Sequence, residues 1–240
     1  MTIPRETLAA IRLLIFDLDG TLVDSKTDLA LSVNAVREMM GLGALPHGLI
    51  TSYVGRGVTV LIRRALGEQA TDETVEKATA LFLSHYREHM LDNTVMYPGV
   101  RETLETLGER RLAVLTNKPV IFSREMLTRL GVAGRFAFIY GGNSFEQKKP
   151  DPVGVHRLVG DLGVVPAQTL IVGDSDTDVL TGRNAGVWTC GVTYGYGAEG
   201  LRDCPPDILL ENLRELPSLL NGTQDAASRT TPGRTQSIED

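Results

Sequence analysis

The chain predicts an α/β fold: a doubly wound parallel sheet, Rossmann-like, with a small α-helical cap domain inserted after the first strand. Three observations lead there. Short β-rich apolar runs recur at residues 13–17, 112–116, 138–140, 170–173 and 188–192. Helix-length segments alternate with them, the order that a parallel sheet with helices on both faces requires. One interval, residues 25–95, breaks that alternation with helical patterns and no strand.

Each apolar run is continuous rather than alternating, so each reads as a strand covered on both faces. The helices between them are expected at 100–110, 120–130, 152–162 and 176–185, most of them closed by a glycine. Within 25–95, Leu29, Val33, Val36 and Met40 repeat at helical spacing, Gly41 and Gly43 supply a stop, and Val75, Ala78, Phe82 and Tyr86 repeat the pattern. An insertion of this size can bury a small core of its own and move as a lid, with hinges near Asp24 and Pro98. The expected organisation is a catalytic core of residues 1–24 and 96–221, a cap of 25–95, and a flexible tail, 222–240, whose polar composition buries too little surface to offset ordering. Trp188 is expected in the core. His85 and His89, one turn apart, are expected on the surface of a cap helix, since no third metal ligand accompanies them.

Charge narrows the partners. The 24 Lys and Arg against 30 Asp and Glu leave a formal net charge of −6, which argues against nucleic acid. No apolar run approaches the roughly 20 residues that span a bilayer, so no membrane partner is expected. The two cysteines, Cys190 and Cys204, lack the spacing of a zinc site and read as reduced thiols. The first residues lack a secretory pattern, which makes the cytoplasm the expected compartment. Monomer and homodimer both stay open.

The chemistry gathers after the strands, where a parallel sheet places its ligands. Asp17 and Asp19 end the first strand, and period-2 geometry sets them on one side. A second acidic group, Asp174, Asp176 and Asp178, follows the fourth run and reaches the same edge. Any one of these aspartates reads as a helix cap or turn former. Two clusters on one sheet edge read as a site. Like charges at ~4 Å repel by about 4 kcal/mol at an effective dielectric near 20, so the cluster calls for a cation, and hard oxygen ligands suit Mg²⁺. Thr116, Asn117 and Lys118 follow the second run, and Lys148 and Lys149 follow the third. A hydroxyl, backbone N–H groups and an ammonium at one rim can hold phosphate oxygens.

With these residues in place, the sequence resembles the haloacid dehalogenase superfamily of phosphohydrolases over residues 11–220. Asp17 and Asp19 match its first motif, Thr116 its second, Lys149 its third, and Asp174 with Asp178 its fourth. The stretches 16–25, 97–100, 116–119 and 194–197 are similar to those of the phosphoglycolate phosphatases within it, and residues 53–57 resemble the glycine-flanked cap turn that faces their active site. The resemblance implies a Mg²⁺-dependent phosphatase acting on a small phosphorylated metabolite, 2-phosphoglycolate above others. Asp17 would be the nucleophile and Asp19 the general acid and base. Asp17, the backbone carbonyl of Asp19 and Asp174 would hold the metal, with Asp178 outside them as an orienting partner. Thr116, Asn117 and Lys149 would bind the phosphate. Arg56 is a departure from many relatives: a guanidinium there would favour a second anionic group on the substrate, or it is a solvated cap residue.

A phosphosugar mutase or a pyrophosphatase of the same superfamily remains the alternative. A carbon–halogen hydrolase would not need Asp19. A phosphonate-cleaving relative would need a cap lysine near Gly55. A metal–nucleotide glycosyltransferase would leave Thr116 and Lys149 unexplained, and a phospho-receiver domain has neither the insertion nor a second acid at position 19.

Overall fold

The computed structural model describes residues 3–222. The tail expected at 222–240 lies outside the described residues apart from Gly222, which ends the last helix. In chain order the elements are α1 (Arg5–Ala9), β1 (Leu13–Phe16), β2 (Val23–Asp24), α2 (Lys26–Met39), α3 (His47–Thr51), α4 (Val58–Leu66), α5 (Asp72–His89), β3 (Val95–Met96) and α6 (Val100–Thr106). Then follow β4 (Arg111–Leu115), α7 (Val120–Arg129), β5 (Phe138–Tyr140), α8 (Val153–Asp161), β6 (Thr169–Gly173), α9 (Asp176–Ala185), β7 (Trp188–Val192), β8 (Ile208–Leu210) and α10 (Glu215–Asn221).

Six strands form one sheet in the order β5-β4-β1-β6-β7-β8, every pairing parallel. Strand alternation divides its side chains between two cores. Leu14 and Phe16 join Val114, Val172, Phe122 and Leu127 on one face, while Leu13 and Ile15 join Ala113, Ile171, Val155 and Leu158 on the other. Helices cover both faces, as the doubly wound class requires.

The insertion is helical, α2 to α5, as the sequence predicts, and a two-residue antiparallel pairing closes its base: Val23 faces Met96 and Asp24 faces Val95. Its apolar core is not separate. Val33, Ile62, Val75 and Phe82 belong to the same buried cluster as Phe16 and Leu18. Beneath the insertion, the buried Asp28 carboxylate accepts from the backbone and side-chain groups of Asn93 and Thr94 at 2.7 to 3.0 Å, tying its entry to its exit.

Several local expectations change. The helix expected at 100–110 stops at Thr106, because Gly108 adopts φ 67° and turns the chain into β4. Strand β8, only three residues long and preceded by two prolines, carries no local signal; its pairing with β7 defines it. Trp188 opens a strand and is half-buried rather than core, its indole N–H donating to the Ala167 carbonyl at 3.1 Å. His85 and His89 are half-buried, their rings 4.4 Å apart, His85 against Ser32 and His89 against Asp92. Cys190 and Cys204 are unpaired. Among the described residues no helix is long and apolar enough to cross a membrane.

Candidate active site

Strand register assembles the site. Phe16 stands level with Val114 on one side and Val172 on the other, so Asp17 is level with Leu115 and Gly173. Thr116 and Asp174 follow one residue further along the same edge. Chain segments separated by some hundred residues thus meet at the carboxyl ends of three adjacent strands.

The carboxylates of Asp17, Asp174 and Asp178 supply oxygens that lie within 4.8 Å of one another. Asp178 is fully engaged: its Oδ2 accepts from Ser175 N at 3.2 Å and Ser175 Oγ at 2.7 Å, capping α9, and its Oδ1 accepts from Lys149 Nζ at 2.6 Å. Lys149 lies also 2.9 Å from Asp17 Oδ1, as an ion pair out of hydrogen-bond alignment, which leaves that buried oxygen without a hydrogen-bond partner. Asp174 accepts one bond on each oxygen, from Thr21 Oγ1 and from Gly197 N, both at 3.0 Å. Gly20 and Gly195 lie against it; a Cβ at either would overlap the Asp174 side chain, and Gly20 in addition holds φ 88°.

Burial is the largest influence on this cluster. It pushes the Asp17 carboxyl up to about 6, with Lys149 opposing and Asp178 adding to the rise. Asp174 is pushed up to about 7 by burial and then by Asp178 and Asp17. For Lys149 burial acts downward, yet Asp17 and Asp178 outweigh it and the ammonium is held above its ordinary range. Three converging carboxylates with one ammonium, one orphaned oxygen and hard donors only are a set that fits Mg²⁺.

Asp19 lies outside that cluster and, with Asp17, lines a cavity between core and cap. Its Oδ1 accepts from Ser25 Oγ at 2.5 Å, and Lys118 Nζ reaches both its oxygens at 3.0 and 3.2 Å. Lys118 also donates to the Tyr86 hydroxyl at 2.7 Å and lies 4.6 Å over that ring, so this one ammonium joins the core to α5 of the cap. Thr116 is buried beside them and accepts from Lys118 N at 3.3 Å. Leu29, Val54, Val58, Leu61, Phe82 and Phe122 give the cavity apolar walls.

Among the residues expected to bind substrate, Asn117 and Arg56 stand apart. The Asn117 amide donates to Gly55 O at 2.9 Å and Lys149 O at 3.0 Å, and accepts from Lys149 N at 3.0 Å. Both of its N–H bonds are committed, so the side chain braces the Lys149 loop against the cap turn. Arg56 is exposed, and it is Gly55 and Gly57 that line the cavity. Sequence reasoning missed the contributions of Thr21, Ser25, Tyr86 and Lys118; Thr21 and Ser25 lay in the matched stretch 16–25 and Lys118 at the predicted rim, each without a role, while Tyr86 was read only as part of a helical pattern.

The haloacid dehalogenase-like hydrolase family matches residues 14–192. The phosphoglycolate phosphatase of Pseudomonas putida is 41% identical over 240 residues, covering 95% of this chain and 86% of that protein. The phosphoglycolate phosphatase of Haemophilus influenzae is 39% identical over 219 residues, covering 87% and 98%. Among solved structures, that of a predicted phosphoglycolate phosphatase from Haemophilus somnus superposes with a TM-score of 0.83 at 34% identity, covering 90% of this chain and 99% of that one.

Proposed function

From the premise that this chain belongs to the haloacid dehalogenase-like hydrolase family, we propose that it hydrolyses 2-phosphoglycolate to glycolate and phosphate through an aspartyl-phosphate on Asp17. The chain is a phosphatase similar to the phosphoglycolate phosphatases, and its carboxylate cluster fits the metal site of the family. The observation that carries the mechanism is the division of labour two residues apart: both carboxylates line the cavity under the cap, Asp17 as part of the carboxylate cluster and Asp19 outside it.

In this reading the Asp17 carboxylate attacks phosphorus and the bond to the ester oxygen breaks. Asp19 delivers a proton to the departing alkoxide. The same carboxylate then removes a proton from the water that attacks the aspartyl-phosphate, and phosphate leaves. Asp19 Oδ2 suits this task, since Ser25 holds Oδ1 while Oδ2 meets only Lys118 among the described residues. The Thr116 hydroxyl and Lys149 hold phosphate oxygens, and Asn117 and Asp178 keep Lys149 in place. Mg²⁺ would be held by Asp17, the backbone carbonyl of Asp19 and Asp174, and when bound it would offset the charge of the carboxylates and phosphate as they come together. Apolar cap walls exclude water from the first step. Two unpaired cysteines support a cytoplasmic setting.

The test is phosphate release from 2-phosphoglycolate, pyrophosphate, sugar phosphates and an aromatic phosphate ester, with and without Mg²⁺. Magnesium-dependent release led by 2-phosphoglycolate is expected. Interconversion of sugar-phosphate isomers without release would replace the reading with a mutase. Asp19→Asn should slow both half-reactions by about 10² to 10⁴-fold, and a trapped phosphoenzyme that hydrolysed at the parental rate would remove Asp19 from the second.

A further inference from the structure

We propose that Lys118 is the receptor for the carboxylate of the leaving group, so that the residue selecting the substrate is a core lysine rather than a cap arginine; this rests on the 2-phosphoglycolate reading above. Among the described residues lining the cavity, Lys118 is the only cationic side chain. The other charges there are the carboxylates of Asp17 and Asp19, which repel an incoming acid. Lys149 sits between Asp178 and Asp17 in the carboxylate cluster, and both it and Arg56 are outside the lining. A substrate carrying a second negative group on the alcohol side therefore meets one buried favourable partner, while the exposed Lys148 comes near only at the Gly57 edge.

Position and geometry agree with that role. Lys118 sits against Asp19, the residue that serves the leaving oxygen, so an anion two carbons from phosphorus-bound oxygen falls within its reach. Its bond to Asp19 Oδ2, at 3.2 Å, is the longest of its three, and Oδ1 keeps Ser25 at 2.5 Å if that bond is given up. One N–H can turn to the substrate without releasing Asp19 from its place. Tyr86 holds the same ammonium from the cap, at 2.7 Å, so a carboxylate bound there is roofed by α5. In an apolar enclosure, removing one partner of such an ion pair costs more than at a solvated rim. Binding energy from this remote group would hold the cap shut during phosphoryl transfer.

The experiment compares 2-phosphoglycolate with 2-hydroxyethyl phosphate, which keeps the chain length and replaces the carboxylate by an alcohol. The parent should prefer the carboxylate by about 10²-fold in kcat/KM, and Lys118→Gln should bring the two substrates within a few-fold of each other whatever the absolute fall, chiefly through KM. Glycolate inhibition of the parent should weaken in the same variant. If both substrates fall equally and the preference survives, Lys118 only positions Asp19 and the inference is overturned. It is overturned too if Arg56→Ala, rather than Lys118→Gln, abolishes the preference. Both results leave the 2-phosphoglycolate reading standing, whereas a parent with no carboxylate preference removes that reading and the inference together. Should Lys118→Gln fail to melt cooperatively, Tyr86→Phe decides: a several-fold loss of preference supports the inference, and an unchanged preference overturns it.

Discussion

Asp28 and Asp174 are withdrawn from water almost equally, at 1% and 3% exposure, yet four donor groups reach the first and two reach the second. Asp28 lies at the base of the cap and finds a backbone N–H and a side-chain donor from each of Asn93 and Thr94. Asp174 lies at the sheet edge and faces two further carboxylates. A buried charge is stable when donors saturate it and stays costly when they do not. The first arrangement fastens the chain to itself. The second is left short of positive charge, which a ligand must supply.

The sharpest way to break this contrast is at Asp17, the proposed nucleophile. Asp17→Asn should lower phosphate release by about 10⁴-fold or more while the thermal midpoint stays within a few degrees, because one like charge is removed along with the lost ion pair. Equal activity in variant and parent would remove Asp17 from the chemistry. Next, stripping divalent ions with a chelator should lower release by about 10³-fold, with recovery on added Mg²⁺; a chelator-resistant enzyme would mean that the carboxylate cluster works without a cation.

At the other site the sign reverses. Asp28→Ala should cost about 3 kcal/mol of stability, since buried N–H and hydroxyl donors lose their acceptor, and the midpoint should fall by about 10 °C. Turnover measured well below that midpoint should change far less than for Asp17→Asn. A destabilisation too small to detect in a melting curve would show that water takes over the donors.

The smallest effect is also the most discriminating. Asp174, pushed up to about 7, is protonated in the folded metal-free protein at a pH where the unfolded chain has already ionised. Stability from such a raised group is fully present below the unfolded value near 4 and is lost as pH rises through about 7. Asp174→Asn is uncharged throughout. Without metal it should match the parent near pH 4 and exceed it above pH 7 by on the order of 1 to 3 kcal/mol, measured by denaturant titration. Added Mg²⁺ should favour the parent and reverse the order. A constant offset across pH would place the strain elsewhere.

The same contrast explains what could be seen in the sequence. The strands at 13–17, 112–116 and 170–173 and the acidic groups after them were legible because each signal is local: an apolar run, then the residue that ends it. Asp28 gave no signal, being one acidic residue in a first helical turn, and its partners lie 65 and 66 residues away. Lys118 was visible at the rim but not in its role, which depends on Tyr86 arriving from the cap 32 residues earlier in the chain. Arg56 drew attention by charge and by its flanking glycines. Those glycines, with φ of 108° and 88°, turn the backbone toward the cavity and leave the guanidinium exposed. Charge type is written in the sequence, whereas direction is written in contacts between distant segments.

Tyr196 carries a consequence of another kind. Its hydroxyl accepts from Ser25 N at 2.5 Å, a contact spanning 171 residues, and Ser25 is the group that holds the Asp19 carboxylate. On a ribosome, where the chain emerges from its amino end, Asp19 can meet Ser25 and then Lys118, whereas the Tyr196 brace on Ser25 waits for most of the polypeptide. A nascent chain can pair β1 with β4 and β4 with β5, but β6, β7 and β8, which complete the sheet, arrive in the same late stretch as Asp174 and Tyr196. The candidate site is therefore completed late, and a chain released before residue 174 lacks both the Asp174 carboxylate and the Tyr196 brace on Ser25.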